Sequence, residues 1–332
     1  MTYYVVAHLN LGLIDYNYNQ NFGYMLESYV ISKQSAGINS FRFSSSETKR
    51  QKNNNINNIY NETYIFRAYL AGVLDGDGNF DIRNINNGRV LKTIRLKMHN
   101  RDINVLNHIH TNLNIGRVIP VPNTEYSMYI ASTQWEMSII VNLINGMMRL
   151  KVPSFKFACE FLGIKFIEAN YRLKPFDPYF AGLVDTDGSI VFNYNSNRIE
   201  CVIEVNNNEY SIKLCLDDLI PGQNPYKLIR LKSSSQGGPK MHNSTLWRYQ
   251  NVSAMIPLYN YFSKFRLYSN FKYHRIMLIN EFISVRRYHS YSKHTHEFKL
   301  YAKFVLKFIK YLNPRWADTP FIKKHNLIEF DK

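Results

Sequence analysis

The sequence predicts an α+β protein of two similar halves, each an αββαββα unit, and three observations carry that reading. The stretch LAGVLDGDGNF at residues 70–80 returns 110 positions later as FAGLVDTDGSI at 180–190. Around each copy, an apolar helical pattern runs into two pairs of alternating segments, with a second helical stretch between the pairs. The chain, 332 residues with 45% hydrophobic and 20% charged side chains, has the length and composition for two globular units.

Residues 1–60 read as a polar tail and linker, because SSSETKRQKNNNINN at 44–58 is too poor in apolar side chains to repay the entropy of ordering. LGLID at 11–15 imitates the start of the repeated motif, but YNYN follows where an acid and a glycine are needed. The first half covers 61–173. YIFRAYLAGVLD is its opening helix, and NFDIRNI and VLKTIRLKM are strands. DINVLNHIHTNL is a helix with Asp102 as expected cap, GRVIPV and YSMYIAS are strands, and a helical region closes the unit. The second half, 174–332 with a C-terminal extension, starts after the short join Lys174-Pro175-Phe176-Asp177-Pro178. It repeats the order with DPYFAGLVD, SIVFNYN, RIECVIEV, the helix EYSIKLCLDDLI, then YKLIRLK and TLWRYQNV. Asn86-Asn87-Gly88, Pro221-Gly222 and Gly237-Gly238-Pro239 supply the turns.

With 41 Lys and Arg against 25 Asp and Glu, the formal charge is +16, so a polyanion is the expected partner. The abundance of Tyr, Phe, Asn and Ile suggests AT-rich coding DNA. No apolar run reaches the roughly 20 residues of a membrane span. Cys159, Cys201 and Cys215 have neither the number nor the spacing of a disulfide framework or a zinc site. MTYYVVAHLN lacks a signal peptide's charged start and apolar run, which leaves cytosol, nucleus or synthesis inside an organelle.

Gly72 and Gly182 sit inside helical patterns, where glycine costs about 1 kcal/mol unless something requires its missing side chain. With Ala68 and Ala181 they form small faces on which two helix backbones can pack closely, so each motif helix is the natural partner of the other. Asp75 and Asp77, like Asp185 and Asp187, then fall at helix carboxyl ends, where the dipole disfavours acids. Four carboxylates gathered there suit a hard cation such as Mg²⁺, which keeps water and accepts phosphate oxygens. A calcium EF-hand fails in both copies, since Phe80 and Ile190 stand where glycine is needed, and Asn86 and Ser196 where glutamate is needed. Asp75 and Asp185, next to glycine or threonine, are expected to be turn formers.

The two motifs in this setting resemble the LAGLIDADG homing endonucleases in their single-chain, two-motif, intron-encoded form, over about residues 62–300. HNRDINVLNHIHTNLNIGRV at 99–118 also resembles the family's segment after the second strand. The second half departs there, with Glu209 in the place of Asp102. The resemblance implies two antiparallel sheets forming a saddle over a long pseudo-palindromic DNA duplex, with the motif helices along a pseudo-twofold axis. It also implies Mg²⁺, with Mn²⁺ as a substitute, held by Asp77 and Asp187, and one strand cut by each half to leave short 3′ overhangs. A monomer that promotes intron mobility and is made in a mitochondrion follows from the same likeness. Family members place a lysine near the start of each closing helix, and Lys151 and Lys272 are the nearest here. The alternative role in this family is an RNA-binding maturase that assists group I intron splicing.

Strand alternation selects the face for DNA. Ile94, Leu96 and Met98 point one way and Thr93, Arg95 and Lys97 the other, while Phe80 and Ile82 oppose Asp81 and Arg83. By the same count Asn193, Arg230, Lys232, Arg248 and Gln250 face DNA in the second half. Superposing the repeats sets Lys97 opposite Glu204, so one pocket gains a cation and the other a carboxylate able to orient water. The cluster HSYSKHTH at 289–296 is read as phosphate-contacting or exposed rather than metal-binding.

Overall fold

The computed structural model describes residues 62–232 and 242–331. The tail at 1–60, the LGLID stretch and the Gly237-Gly238-Pro239 turn lie outside the described residues. The first lobe opens with helix α1 over 62–76. It continues with β1 (Gly78–Ile85), β2 (Gly88–His99), α2 (Ile103–Leu113), β3 (Arg117–Pro120), β4 (Tyr126–Ala131), α3 (Gln134–Ile144) and α4 (Val152–Phe161). The second lobe repeats this order with α5 (Tyr179–Thr186), β5 (Gly188–Asn193), β6 (Arg198–Asn206), α6 (Glu209–Lys213), β7 (Tyr226–Lys232), β8 (His242–Tyr249), α7 (Met255–Lys264) and α8 (Asn270–Met277). An extension follows, comprising α9 (Ile279–Val285), α10 (His296–Lys310) and α11 (Pro320–Lys324).

Both sheets are antiparallel and have the same topology, β1-β2-β4-β3 and β5-β6-β8-β7. Gly78 pairs with Leu96 in the first and Gly188 with Ile203 in the second, so Lys97 and Glu204 occupy the same place in the repeat. The first hairpin is longer, with strands of 8 and 12 residues against 6 and 9. A bulge between Asp81 and Ile82 leaves Lys92 without a partner across the ladder. Alternation holds on β2: Ile94, Leu96 and Met98 are buried, while Thr93, Arg95 and Lys97 occupy the other face.

The core lies beneath each sheet. Phe80 meets Phe155 of α4 at 5.9 Å, and Phe192 of β5 meets Phe282 of α9 and Phe308 of α10 at 5.4 and 5.7 Å. Between the lobes, α1 and α5 cross with no room for a side chain at the contact. A Cβ on Gly72 would stand 2.1 Å from Tyr179 O, and one on Gly182 would stand 2.0 Å from Tyr69 O. This close approach is why glycine is kept inside both helices, whose residues 68–75 and 179–185 are all buried.

The two hairpin tips differ. Asn86, Asn87 and Gly88 of the first are exposed. In the second, the extension grips Asn197: Arg286 Nε donates to Asn197 O at 2.9 Å, Asn197 Nδ2 donates to Arg286 O at 2.9 Å, and Tyr301 donates its hydroxyl to Asn197 Oδ1 at 3.0 Å.

Two expectations are corrected. EYSIKLCLDDLI is helical only over Glu209–Lys213. Cys215 N instead donates to Tyr171 O and Leu173 N to Cys215 O, at 2.9 and 3.1 Å, so tertiary pairing captures the backbone that the helix would have used. Asp218 at φ +64° and Pro221-Gly222 complete the break. Asp102, at the position preceding α2, makes no side-chain cap bond and turns instead towards the other lobe.

Candidate active site

The end of each motif helix is fixed by three kinds of contact. Asp75 Oδ2 accepts from Arg149 N at 2.6 Å, and its Oδ1 accepts from Leu150 N and Lys151 N at 3.0 and 2.8 Å. Tyr179 of the opposite lobe adds its hydroxyl to Oδ2 at 2.7 Å. Asp185 does the same in the second lobe, accepting from Tyr268 N at 2.7 Å, Ser269 N at 3.1 Å and the Tyr69 hydroxyl at 2.8 Å. These two acids are therefore not turn formers. They satisfy the backbone amides of the segments that lead into the closing helices, up to and including the N-cap residues Lys151 and Ser269, a need that local sequence does not reveal. Burial raises both carboxyls, Asp185 to about 6, and the hydrogen bonds oppose the rise.

Lysines plug the carboxyl ends. Lys151, the N-cap residue of α4, donates from Nζ to the carbonyls of Gly76 and Gly78. Lys272, in the first turn of α8, donates to Val184 O, Asp185 O and Thr186 O at 2.9, 2.8 and 2.9 Å. A cation here meets the unpaired carbonyls and the negative end of the dipole. Burial lowers both amines, and the surrounding aspartates act against it.

With Asp75 and Asp185 committed to the scaffold, the second acids are left at the tips. Asp77 follows α1 and is exposed, while Asp187 follows α5 and is half-buried. Gly76 packs against Thr186 and Asp187, so the two helix ends touch. Crowding by the surrounding atoms raises the Asp77 carboxyl, Lys151 and Lys272 pull it back, and Asp102 adds to the rise. Asp187 is pushed up to about 6 by burial and then by the Asp77 charge, against Lys151 and Lys272. One acid from each lobe and one lysine from each lobe thus form a single electrostatic unit. Among the described residues no cluster of three or more His, Cys, Asp and Glu is placed to hold a metal.

Lys97 is exposed on β2 with Nζ 4.7 Å from the Tyr126 ring centroid, and Glu204 is half-buried on β6, accepting from the Ser244 hydroxyl. On the outer face of the first sheet, Arg83 and Arg95 lie 2.8 and 3.4 Å from Asp81, and the buried Thr93 hydroxyl has no hydrogen-bond partner. On the second, buried Glu200 gathers Arg198 at 2.7 Å, Arg248 at 3.5 Å and Asn193 at 3.0 Å, and Gln250 accepts from Arg198 at 3.4 Å. Arg230 is half-exposed on β7, and Lys232 ends that strand with its side chain outside the described residues.

The sequence reading did not single out Tyr69, Tyr179, Glu200 or Ser269, and it gave Asp102 only the role of a helix cap. The tyrosines had a signal, since AYLAG and PYFAG repeat the residue at the same place. Of the histidine cluster, His289 packs between Tyr194 and Tyr301 at 5.2 and 5.3 Å, and His294 and His296 are exposed.

Comparison with known proteins adds findings of three kinds: a family model, curated relatives and solved structures. The family model described as LAGLIDADG endonuclease matches residues 70–159. The intron-encoded DNA endonuclease ai2a of Dictyostelium discoideum is 24% identical over 246 residues, 72% of this chain and 72% of its own length. The intron-encoded DNA endonuclease aI3 of Saccharomyces cerevisiae is 25% identical over 182 residues, 45% of this chain and 44% of its own. Solved structures that resemble the chain include the LAGLIDADG meganuclease I-AabMI bound to uncleaved DNA, 14% identical, with a TM-score of 0.45 over 73% of this chain and 97% of that one. The LAGLIDADG homing endonuclease I-GzeII in complex with its DNA target is 13% identical, with a TM-score of 0.46 over 73% and 96%.

Proposed function

We propose that the chain belongs to the LAGLIDADG endonuclease family, whose model matches residues 70–159, and that it is a homing endonuclease, hydrolysing one phosphodiester bond in each strand of a duplex and leaving short 3′ overhangs. The observation that supports this reading is the contact of the two motif-helix ends, Gly76 against Thr186 and Asp187, with the Asp77 charge raising the Asp187 carboxyl.

The donor set fits a hard divalent cation, because two carboxylates without a third protein acid or imidazole leave places for water and phosphate oxygens. Mg²⁺ is the proposed ion, with Mn²⁺ as a substitute. Asp77 and Asp187 would hold it, and bound there it would supply neutralisation of charge on the attacking and leaving oxygens of an in-line displacement. Lys151 and Lys272 keep the two helix ends, and so the carboxylates, in place. Lys97 offers a cation to the phosphate on one side, and Glu204 orients water on the other, so the two strands are cut at unequal rates.

The duplex lies on the outer sheet faces, read by Arg83, Thr93, Arg95, Asn193, Arg248 and Gln250 and held through Lys97, Arg230 and Lys232. Two lobes in one chain make a monomer sufficient, which sedimentation against the 39.2 kDa chain mass tests. The names of the intron-encoded relatives support intron mobility and, with the composition, a mitochondrial setting. They favour DNA cleavage over the maturase role.

Cleavage of a randomised duplex library with Mg²⁺ tests the function, with D77N and D187N as controls. Both variants are expected to bind the selected duplex and cut neither strand. Cutting by either variant at the wild-type rate contradicts the assignment.

A further inference from the structure

The two pockets are built from equivalent residues but are held differently. Asp102, three residues beyond the end of β2, is buried and accepts the hydroxyl hydrogen of Ser269 from the other lobe. Ser269 is the N-cap of α8: its Oγ accepts from Lys272 N at 3.3 Å, and its amide donates to Asp185 at 3.1 Å. Arg101 lies over the ring of Phe271 at 4.0 Å, so two neighbouring residues of the first lobe dock on the first turn of α8. Lys272 spends all three of its N–H donors on carbonyls of α5.

The first lobe's pocket lacks this brace. The shared strand register makes Glu209 the counterpart of Asp102, and Glu209 is exposed at the start of α6. Helix α4 has Lys151 at its N-cap with no side-chain cap bond, and Lys151 spends two donors, on Gly76 and Gly78.

We propose that Asp102 is a positioning residue that ties the second pocket to the DNA-reading strand of the first lobe. Through Ser269 it makes β2, the 99–102 turn and the start of α8 one mechanical body, so Lys272 is locked while Lys151 keeps a donor for the substrate. Duplex contacts made by Thr93, Arg95 and Lys97 on β2 are thereby transmitted across the seam. The two strands differ in how far their cleavage depends on this link. The proposal rests on the endonuclease reading above.

The test uses the full chain and a duplex recovered from the randomised library, its strands carrying different fluorophores. D102A and S269A are expected to slow nicking of one strand about 10- to 100-fold relative to the other, the scale on which small misplacements act. Duplex affinity should change by less than about threefold, and the double variant should be no worse than either single one, because both remove one contact. D102N keeps an acceptor oxygen and is expected to restore the strand ratio, and E209A should leave it untouched. Deuterium exchange supplies a readout that needs no DNA: amides 270–274 lose protection in D102A while those of 152 and 154–156 do not. An unchanged strand ratio, or equal slowing of both strands, overturns the proposal. A wild-type protein that cuts neither strand fails the endonuclease reading instead, and exchange then tests the brace by itself.

Discussion

Tyr179 of the second lobe donates its hydroxyl to Asp75 of the first at 2.7 Å, and Tyr69 returns the bond to Asp185 at 2.8 Å. Each seam carboxylate is thus held by amides of its own lobe and a hydroxyl of the other. A hydrogen bond to a carboxylate contributes about 1.5–3 kcal/mol. Y69F and Y179F are each expected to lower unfolding free energy by that amount at constant denaturant slope, as followed by urea titration. A shift in slope instead of midpoint would point to the denatured state.

The crossing of the motif helices gives a sharper effect. G72A places a methyl 2.1 Å from Tyr179 O, and G182A places one 2.0 Å from Tyr69 O, in each case against backbone that cannot turn away. Each substitution is expected to cost about 3 kcal/mol or more, although alanine is the better helix former. Thermal melts decide this, and a neutral or stabilising result would contradict the close approach.

Asp187 makes stability depend on pH in an unusual direction. Its carboxyl is raised from the ordinary 3.8 to about 6, so between those values the folded chain holds a proton that the unfolded chain has lost. That contribution is present at the acidic end of the window and disappears as pH rises through about 6. Without divalent ions, D187N is therefore expected to melt above wild type at neutral pH, with the gap closing towards pH 4. Mg²⁺ should raise the melting temperature of wild type at neutral pH and leave D187N unmoved. A gap that widens on acidification refutes this account.

On the sheets, Arg95 and Arg248 are each aimed by an acid, Asp81 at 3.4 Å and Glu200 at 3.5 Å. R95A and R248A are expected to relax base preference at one position each, at about 1–3 kcal/mol. K97A should weaken binding evenly across sequences and reduce the salt slope by about one. Binding isotherms over a range of salt and single-base changes separate the two outcomes.

Much of this is legible in the sequence, for physical reasons. A glycine retained inside each of two duplicated helices announces a backbone contact, and period-two alternation on β2 assigns its faces without knowledge of the partner strand. Repetition also aligned Lys97 with Glu204, which the strand register reproduces. Asp75 and Asp185 were illegible because their partners lie more than seventy residues away along the chain. The same holds for Asp102, whose neighbours suggest a local cap while its hydrogen bond is made across the seam. EYSIKLCLDDLI keeps a helical pattern, but long-range pairing with residues 171–173 outweighs that weak preference.

The grip of the extension on Asn197 has a practical side. Reprogramming a sequence-reading surface asks its loops to adopt new shapes, and the two fingers of this molecule differ in that freedom. Asn86 and Asn87 can be randomised at little structural expense, whereas variation across 194–197 must spare Asn197 or forfeit its hydrogen bonds to Arg286 and Tyr301 of the extension. Efforts to retarget the protein should start from the first lobe and accept the second as found.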